Sequence, residues 1–194
     1  HIPFCETKCP YCDFNTYAGI SSLIPEYCDA LGRDIRRWGA ALEDPEVATV
    51  FLGGGTPSYL PGETLASIAR AWRDGFALAA DAEVTLETNP GDFSLERVSA
   101  WLKAGVNRLS IGVQSFDDGL LGSLGRRHNA KTAALSYQTA RAAGFDNISI
   151  DLMFGLPDQT LPQWKGTLEQ AMSLNPEHVS MYALSIEPNT PFDV

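Results

Sequence analysis

The sequence predicts an α/β fold, a barrel of parallel strands joined by helices and lined by a polar interior. Six short strand-like runs recur along the 194 residues, with segments of helical spacing between them. A helix-to-strand step also occurs twice: Ala104-Gly105-Val106-Asn107-Arg108-Leu109-Ser110-Ile111 resembles Ala143-Gly144-Phe145-Asp146-Asn147-Ile148-Ser149-Ile150. Finally, the strands alternate apolar and polar residues, whereas parallel strands covered on both faces read as nearly continuous apolar runs. One face then packs on helices and the other is polar, and in a parallel barrel that second face is the lumen. A half-exposed antiparallel sheet is the competing reading, and the helical connections count against it.

The elements follow in chain order. His1–Phe4 is the first strand. Ile20, Ile24, Tyr27, Leu31, Ile35, Trp38 and Leu42 then recur at three and four residues, forming one apolar stripe of a helix. Val47–Leu52 is the second strand, followed by a helix carrying Leu65, Ile68, Trp72 and Phe76. Glu83–Glu87 is the third, with Val84 and Leu86 on one face, and Leu95, Val98 and Leu102 mark the next helix. Arg108–Val113 and Asn147–Met153 are the fourth and fifth, each after a glycine suited to end a helix in the left-handed conformation. Leu161, Trp164, Leu168 and Met172 give the last stripe, and His178–Leu184 the sixth strand.

Composition bounds the function. A 44% hydrophobic chain of this length supports one core, so residues 1–194 read as a single domain. The chain opens at His1 without Met and stops at Asp193–Val194, and so reads as an excerpt whose N-terminal residues and C-terminal domain are missing. No transmembrane or signal segment is visible, which predicts a cytoplasmic location. A net charge of −10 counts against a nucleic-acid partner. Three of the four cysteines fall within eight residues, a pattern of metal or redox chemistry rather than a disulfide framework.

Cys5-x-x-x-Cys9-x-x-Cys12 directly follows the first strand. Three thiolates can hold three irons of a cubane and leave the fourth open to a chelating ligand. Zinc, with His1 or Cys28 as fourth ligand, is the alternative. Cys28 lies on the apolar side of the first helix and reads as a core residue. After the second strand, Gly53-Gly54-Gly55-Thr56-Pro57 lets the backbone approach a ligand and offer its N–H and C=O groups, or else makes a tight turn. Chemistry in parallel barrels gathers at the C-terminal strand ends, where Cys5, Gly53, Glu87, Gln114 and Asp151 are expected. Glu87 and Asp151 are either ligand-binding carboxylates or salt-bridge partners of Arg126. His128 and His178 read as structural.

These motifs resemble the radical SAM superfamily. Those around the cysteines and Gly53–Ser58 are joined by Glu87-Thr88-Asn89-Pro90, Arg108–Phe116, Leu124–His128 and Asp151–Pro157, in order along essentially the whole chain. More narrowly, they resemble the branch holding oxygen-independent coproporphyrinogen III oxidase and the HemW heme chaperones. The resemblance implies an open, partial (β/α)6 TIM-like barrel. It implies a [4Fe–4S] cluster on Cys5, Cys9 and Cys12, with S-adenosylmethionine (SAM) on the open iron. Gly54, Gly55 and Thr56 would line the methionine part, and Arg126, rather than its neighbour Arg127, the carboxylate. Glu87, Gln114 and Asp151 would meet the ribose or amino group, and Tyr11 and Ala183 the adenine. The implied chemistry is reductive cleavage of the sulfonium carbon–sulfur bond, fed by an electron donor such as a flavodoxin or ferredoxin. Oxidase members of the branch carry a further cysteine two residues after the third ligand, and here Phe14 stands there. That departure favours heme binding and delivery to an acceptor protein over oxidative decarboxylation of coproporphyrinogen III. Heme contacts would lie partly beyond Val194.

Overall fold

The structure, a computed structural model, describes residues 1–42 and 46–193; Val194, the last residue of the expected domain, lies outside them. Two-residue strands β1 (Phe4–Cys5) and β2 (Tyr17–Ala18) pair in parallel and enclose the cysteine loop. Helix α1 (Ile24–Ala41) follows, then β3 (Glu46–Leu52), α2 (Gly62–Gly75), β4 (Ala77–Thr88), α3 (Leu95–Ala104) and β5 (Arg108–Gln114). Helices α4 (Asp118–Ser123) and α5 (Ala130–Ala142), strand β6 (Ile148–Phe154), helix α6 (Leu161–Ser173) and strand β7 (His178–Ala183) complete the order. Strands β3 to β7 lie in sequence order, every pair parallel, as a curled half-barrel. Among the described residues no helix is long and apolar enough to cross a membrane.

The expected first strand joins this sheet by a single bridge, Ile2 to Gly54. Ile2 N–H donates to the Gly53 carbonyl at 2.8 Å, Gly55 N–H to Ile2 at 2.7 Å and Thr56 N–H to Phe4 at 2.8 Å. Gly54, at φ +124°, turns the partner segment out of strand geometry and confines the pairing to these residues. Strand β4 begins six residues earlier than expected, because Ala77 and Leu78 pair with Glu46 and Val47 before the register shifts.

The alternation in the strands sorts the two faces as expected. Leu109, Ile111 and Val113 of β5 are buried while Ser110, Gly112 and Gln114 are half-exposed towards the open side. Leu86, Ile150 and Leu152 join the same core, with Val98 and Trp101 of α3 and Leu65, Ile68 and Trp72 of α2.

Several helical stripes differ from expectation. Trp38 and Leu42 are exposed, because α1 meets α2 through small residues: a Cβ on Gly32 would touch Ala71, and one on Gly39 would run into the Gly75 carbonyl. On α3 the buried residues are Val98, Trp101 and Ala104, whereas Leu95 is exposed. On α6 they are Thr167 and Ala171, with Leu161 and Met172 exposed. Helix α5 turns Ala133, Tyr137 and Ala140 inward, a face of mostly small residues that leaves little periodic signal.

Candidate functional site

Each expected site residue lines one cavity of about 420 Å³ at the open end of the half-barrel: Cys5, Cys9, Cys12, Tyr11, Gly54, Gly55, Thr56, Glu87, Gln114, Arg126, Asp151 and Ala183. Cys5 ends β1, and Cys9 and Cys12 follow in a turn closed by the Cys12 N–H donating to the Cys9 carbonyl at 3.0 Å. All three thiols are half-buried, whereas Cys28 is buried in the core of α1 and burial pushes its thiol up to about 11. His1 is engaged by the Asn15 carbonyl oxygen, 2.9 Å from its Nε2. Neither fourth ligand considered for zinc therefore joins the triplet. Among the described residues no three His, Cys, Asp or Glu side chains gather as a single-ion site. A single zinc draws its sulfurs to about 2.3 Å from one point, while a cubane spreads its thiolates over separate irons.

The glycine loop reaches this triplet because it lacks side chains. A Cβ on Gly55 would lie 2.7 Å from the Phe4 carbonyl oxygen and 2.9 Å from Cys5 Sγ. Its N–H groups, however, do not face the cavity as ligand donors. Gly54 N–H donates to Glu87 Oε2 at 2.9 Å, and those of Gly55 and Thr56 go to the first strand. The expectation that both N–H and C=O groups serve a ligand is corrected on this point: the Glu87 carboxylate and the carbonyls of Ile2 and Phe4 take the donors.

Glu87 lies one residue before the end of β4, and Gln114 closes β5. Gln114 lines the cavity on the same face as Ser110 and Gly112, at φ +67° and beside a register shift between Gly112 and Gln114. Asp151 is the fourth of seven residues in β6, so it sits deeper than the strand end expected for it. The reason is pairing with β7, which carries β6 on to Phe154. Ser110 donates to Asp151 Oδ2 at 2.7 Å and Ser149 to Oδ1 at 3.3 Å.

Burial raises the carboxyl groups of both Glu87 and Asp151 above the ordinary range. The Gly54 N–H opposes this for Glu87 and the serine hydroxyls for Asp151, while Asp151 raises Glu87 further. Among the described residues Arg126 pairs with neither. Its NH2 donates to Asn89 Oδ1 at 2.5 Å and to the Gly112 carbonyl at 2.8 Å, and its NH1 lies 3.4 Å from both Cys9 Sγ and Tyr11 Oη. Arg127 turns away from the cavity and forms ion pairs with Glu6 and, at 3.5 Å, Asp92. Tyr11 packs its ring against Phe192, centroids 6.1 Å apart.

The cavity also contains residues to which the sequence reading gave no role. Asn89 and Ser110 stand in motifs already noted, but only contacts between distant segments reveal their place. Lys8, Thr16, Met153 and Tyr182 are among the other residues that line the cavity. Strand alternation places Met153 and Tyr182 on the lumen side with Asp151 and Ser180; Lys8 and Thr16 carry no such signal.

Three thiols, two desolvated carboxylates and a buried guanidinium at the open end of a parallel half-barrel define an iron–sulfur, cofactor-binding α/β protein. The family model described as the Radical SAM superfamily matches residues 1–171, and the chain belongs to that superfamily. Its cofactors are accordingly a [4Fe–4S] cluster and S-adenosylmethionine. Among curated proteins, the chain is 46% identical over 194 residues to the heme chaperone HemW of Escherichia coli (strain K12), covering 99% of this chain and 51% of that protein. It is 45% identical over 193 residues to the heme chaperone HemW of Bacillus subtilis (strain 168), with the same coverage. Coproporphyrinogen III oxidase (HemN) from Escherichia coli, a radical SAM enzyme, superposes with a TM-score of 0.90 at 31% identity, covering 97% of this chain and 44% of that one. The chain spans about half the length of the curated relatives it matches.

Proposed function

We propose that residues 1–194 are the radical SAM core domain of a longer, HemW-type protein that binds heme and delivers it to acceptor proteins in the cytoplasm. In this reading Cys5, Cys9 and Cys12 hold the cluster and the adjoining cavity holds SAM. Glu87 and Asp151, both desolvated and neither paired with Arg126, suit the positive charge of SAM, and Arg126 suits its carboxylate. With their N–H groups held inside the protein, Gly54 and Gly55 have carbonyl oxygens to offer an ammonium group. Thr56 borders the methionine part, Gln114 the ribose, and Tyr11 and Ala183 the adenine. Bound there, the cluster and SAM supply reductive cleavage of the sulfonium carbon–sulfur bond, with electrons from a donor such as a flavodoxin or ferredoxin. The protein's part is to orient the cofactor and screen it from water.

The observation that carries the heme-delivery reading is Phe14, 64% exposed on the cavity rim where oxidase members carry a further cysteine. The curated HemW relatives support the same choice. A second reading, oxidative decarboxylation of coproporphyrinogen III to protoporphyrinogen IX, is supported by the close superposition on HemN.

The test is to reconstitute the full-length protein anaerobically and offer it heme and coproporphyrinogen III separately. The expected outcome is a [4Fe–4S] spectrum that Cys5→Ala abolishes, stable heme uptake, and no porphyrinogen turnover. SAM-dependent formation of protoporphyrinogen would replace this reading with the second, and tight zinc without iron uptake would sink both.

A further inference from the structure

We propose that Asn89 is the positioning residue of the site, aiming the side-chain donors of Thr56 and Arg126 at two of the three cysteines. The inference rests on the cluster-binding reading of Cys5, Cys9 and Cys12. Asn89 stands two residues after Glu87, and its backbone is anchored on both sides. Its N–H donates to Ser58 Oγ at 3.2 Å, and its carbonyl accepts the Asp92 N–H at 3.1 Å. Ser58 in turn donates to Asp92 Oδ2 at 2.6 Å, and Pro90 restricts the backbone of Asn89 before it. The side chain is thereby delivered to a defined point in the cavity wall.

Its amide can face only one way. A guanidinium has donors and no acceptor, so Oδ1 faces Arg126 NH2, at 2.5 Å, and Nδ2 is left to donate to Thr56 Oγ1, at 3.0 Å. Each bond fixes a second one. The Thr56 hydroxyl accepts from Asn89 on a lone pair, which directs its single proton to Cys5 Sγ, 3.5 Å away. The guanidinium is planar and rigid. With NH2 held by Asn89 and the Gly112 carbonyl, NH1 is turned to Cys9 Sγ at 3.4 Å. One neutral amide thus orients a donor onto each of two thiols, one at the end of β1 and one in the turn that follows. Donors to cluster sulfurs favour the reduced, more negatively charged cluster and set its potential.

The experiment uses the full-length reconstituted protein as wild type, Asn89→Ala, Thr56→Val and the double variant. Iron content, the cluster midpoint potential by EPR-monitored titration, and SAM affinity by equilibrium binding are read for each. The expected result for Asn89→Ala is full iron loading, a more negative potential, and SAM binding about tenfold weaker through the misdirected Arg126. In the Thr56→Val background the same substitution moves the potential less, since one of the two donors it aims is already gone. Unchanged potential and SAM affinity in a fully loaded Asn89→Ala variant, or strict additivity of the two substitutions, overturns the proposal. Should Asn89→Ala fail to take up a cluster, the melting temperature of the metal-free protein decides. An unchanged value supports positioning, and a fall of several degrees shows a packing role and overturns it. A wild-type protein that takes up no [4Fe–4S] cluster instead refutes the reading of the cysteine triplet.

Discussion

At the scale of single residues, His128 shows how the interior sets a charge state beside the site. Burial above all, and then the Arg126 guanidinium, lowers its imidazole from 6.5 to about 4. Nε2 lies 3.0 Å from the Val113 carbonyl oxygen, so the neutral ring carries its proton there and donates it. The unfolded chain takes up a proton near pH 6.5 and the folded chain only near pH 4. The neutral ring's contribution is therefore complete above pH 6.5 and lost as the pH falls through that window, by about 3 kcal/mol at most. His128→Gln keeps a donor for Val113 without titrating. Denaturant melts between pH 7 and 4 should show a flatter stability profile for this variant than for the wild type, and parallel profiles would reject the assignment. The sequence reading of His128 as structural agrees with its burial, although nothing in its spacing indicated which carbonyl it meets.

At the scale of elements, the two repeated helix-to-strand steps fold alike. Gly105 and Gly144 adopt φ +91° and +100°. In the first step Gly105 N–H donates to Leu102 and Val106 N–H to Trp101; in the second, Gly144 donates to Arg141 and Phe145 to Ala140. Both are Schellman ends, with an apolar residue folded back after the glycine. A Cβ on Gly144 would meet nothing, so Gly144→Ala should cost only its backbone strain, about 1 kcal/mol. A Cβ on Gly105 would also collide with the Arg73 guanidinium, which donates to the Ala104 carbonyl. Thermal melts should rank Gly105→Ala as the more destabilising, and equal losses would remove the steric argument. These caps were legible in the sequence because they are local. The inward faces of α1, α3 and α6 were less so, since close contact through Gly32 and Gly39, or through Trp101 rather than Leu95, is settled by the neighbouring helix.

At the scale of the whole molecule, the larger of two hydrophobic clusters among the described residues lies between the sheet and its helices, and the cavity occupies the other face. Trp101 is among its largest fully buried side chains, and it meets Phe93 edge-on with centroids 5.1 Å apart. Trp101→Ala should cost roughly 3–5 kcal/mol. That lowers the melting temperature by about 10 °C for a chain of this size, and a fall of only a degree or two would show that the core closes over the gap.

Residue order by itself determined the parallel α/β architecture, the polar lumen and the cysteine spacing. These follow from periodicities of two and 3.6 residues and from motifs a few residues long, which report on the chain's immediate neighbourhood. The cofactor residues came from the resemblance to the superfamily and cover only part of the cavity lining. Only the tertiary structure decided that the first strand joins by one bridge, that the glycine N–H groups are already engaged, and that Asp151 lies in mid-strand. It also decided which groups the two arginines meet, Cys9 and Asn89 for Arg126 and Glu6 and Asp92 for Arg127, and that Asn89 links Thr56 to Arg126. The physical reason is distance along the chain. Arg126 meets Cys9 across 117 residues, and a contact of that span depends on how every intervening strand and helix packs.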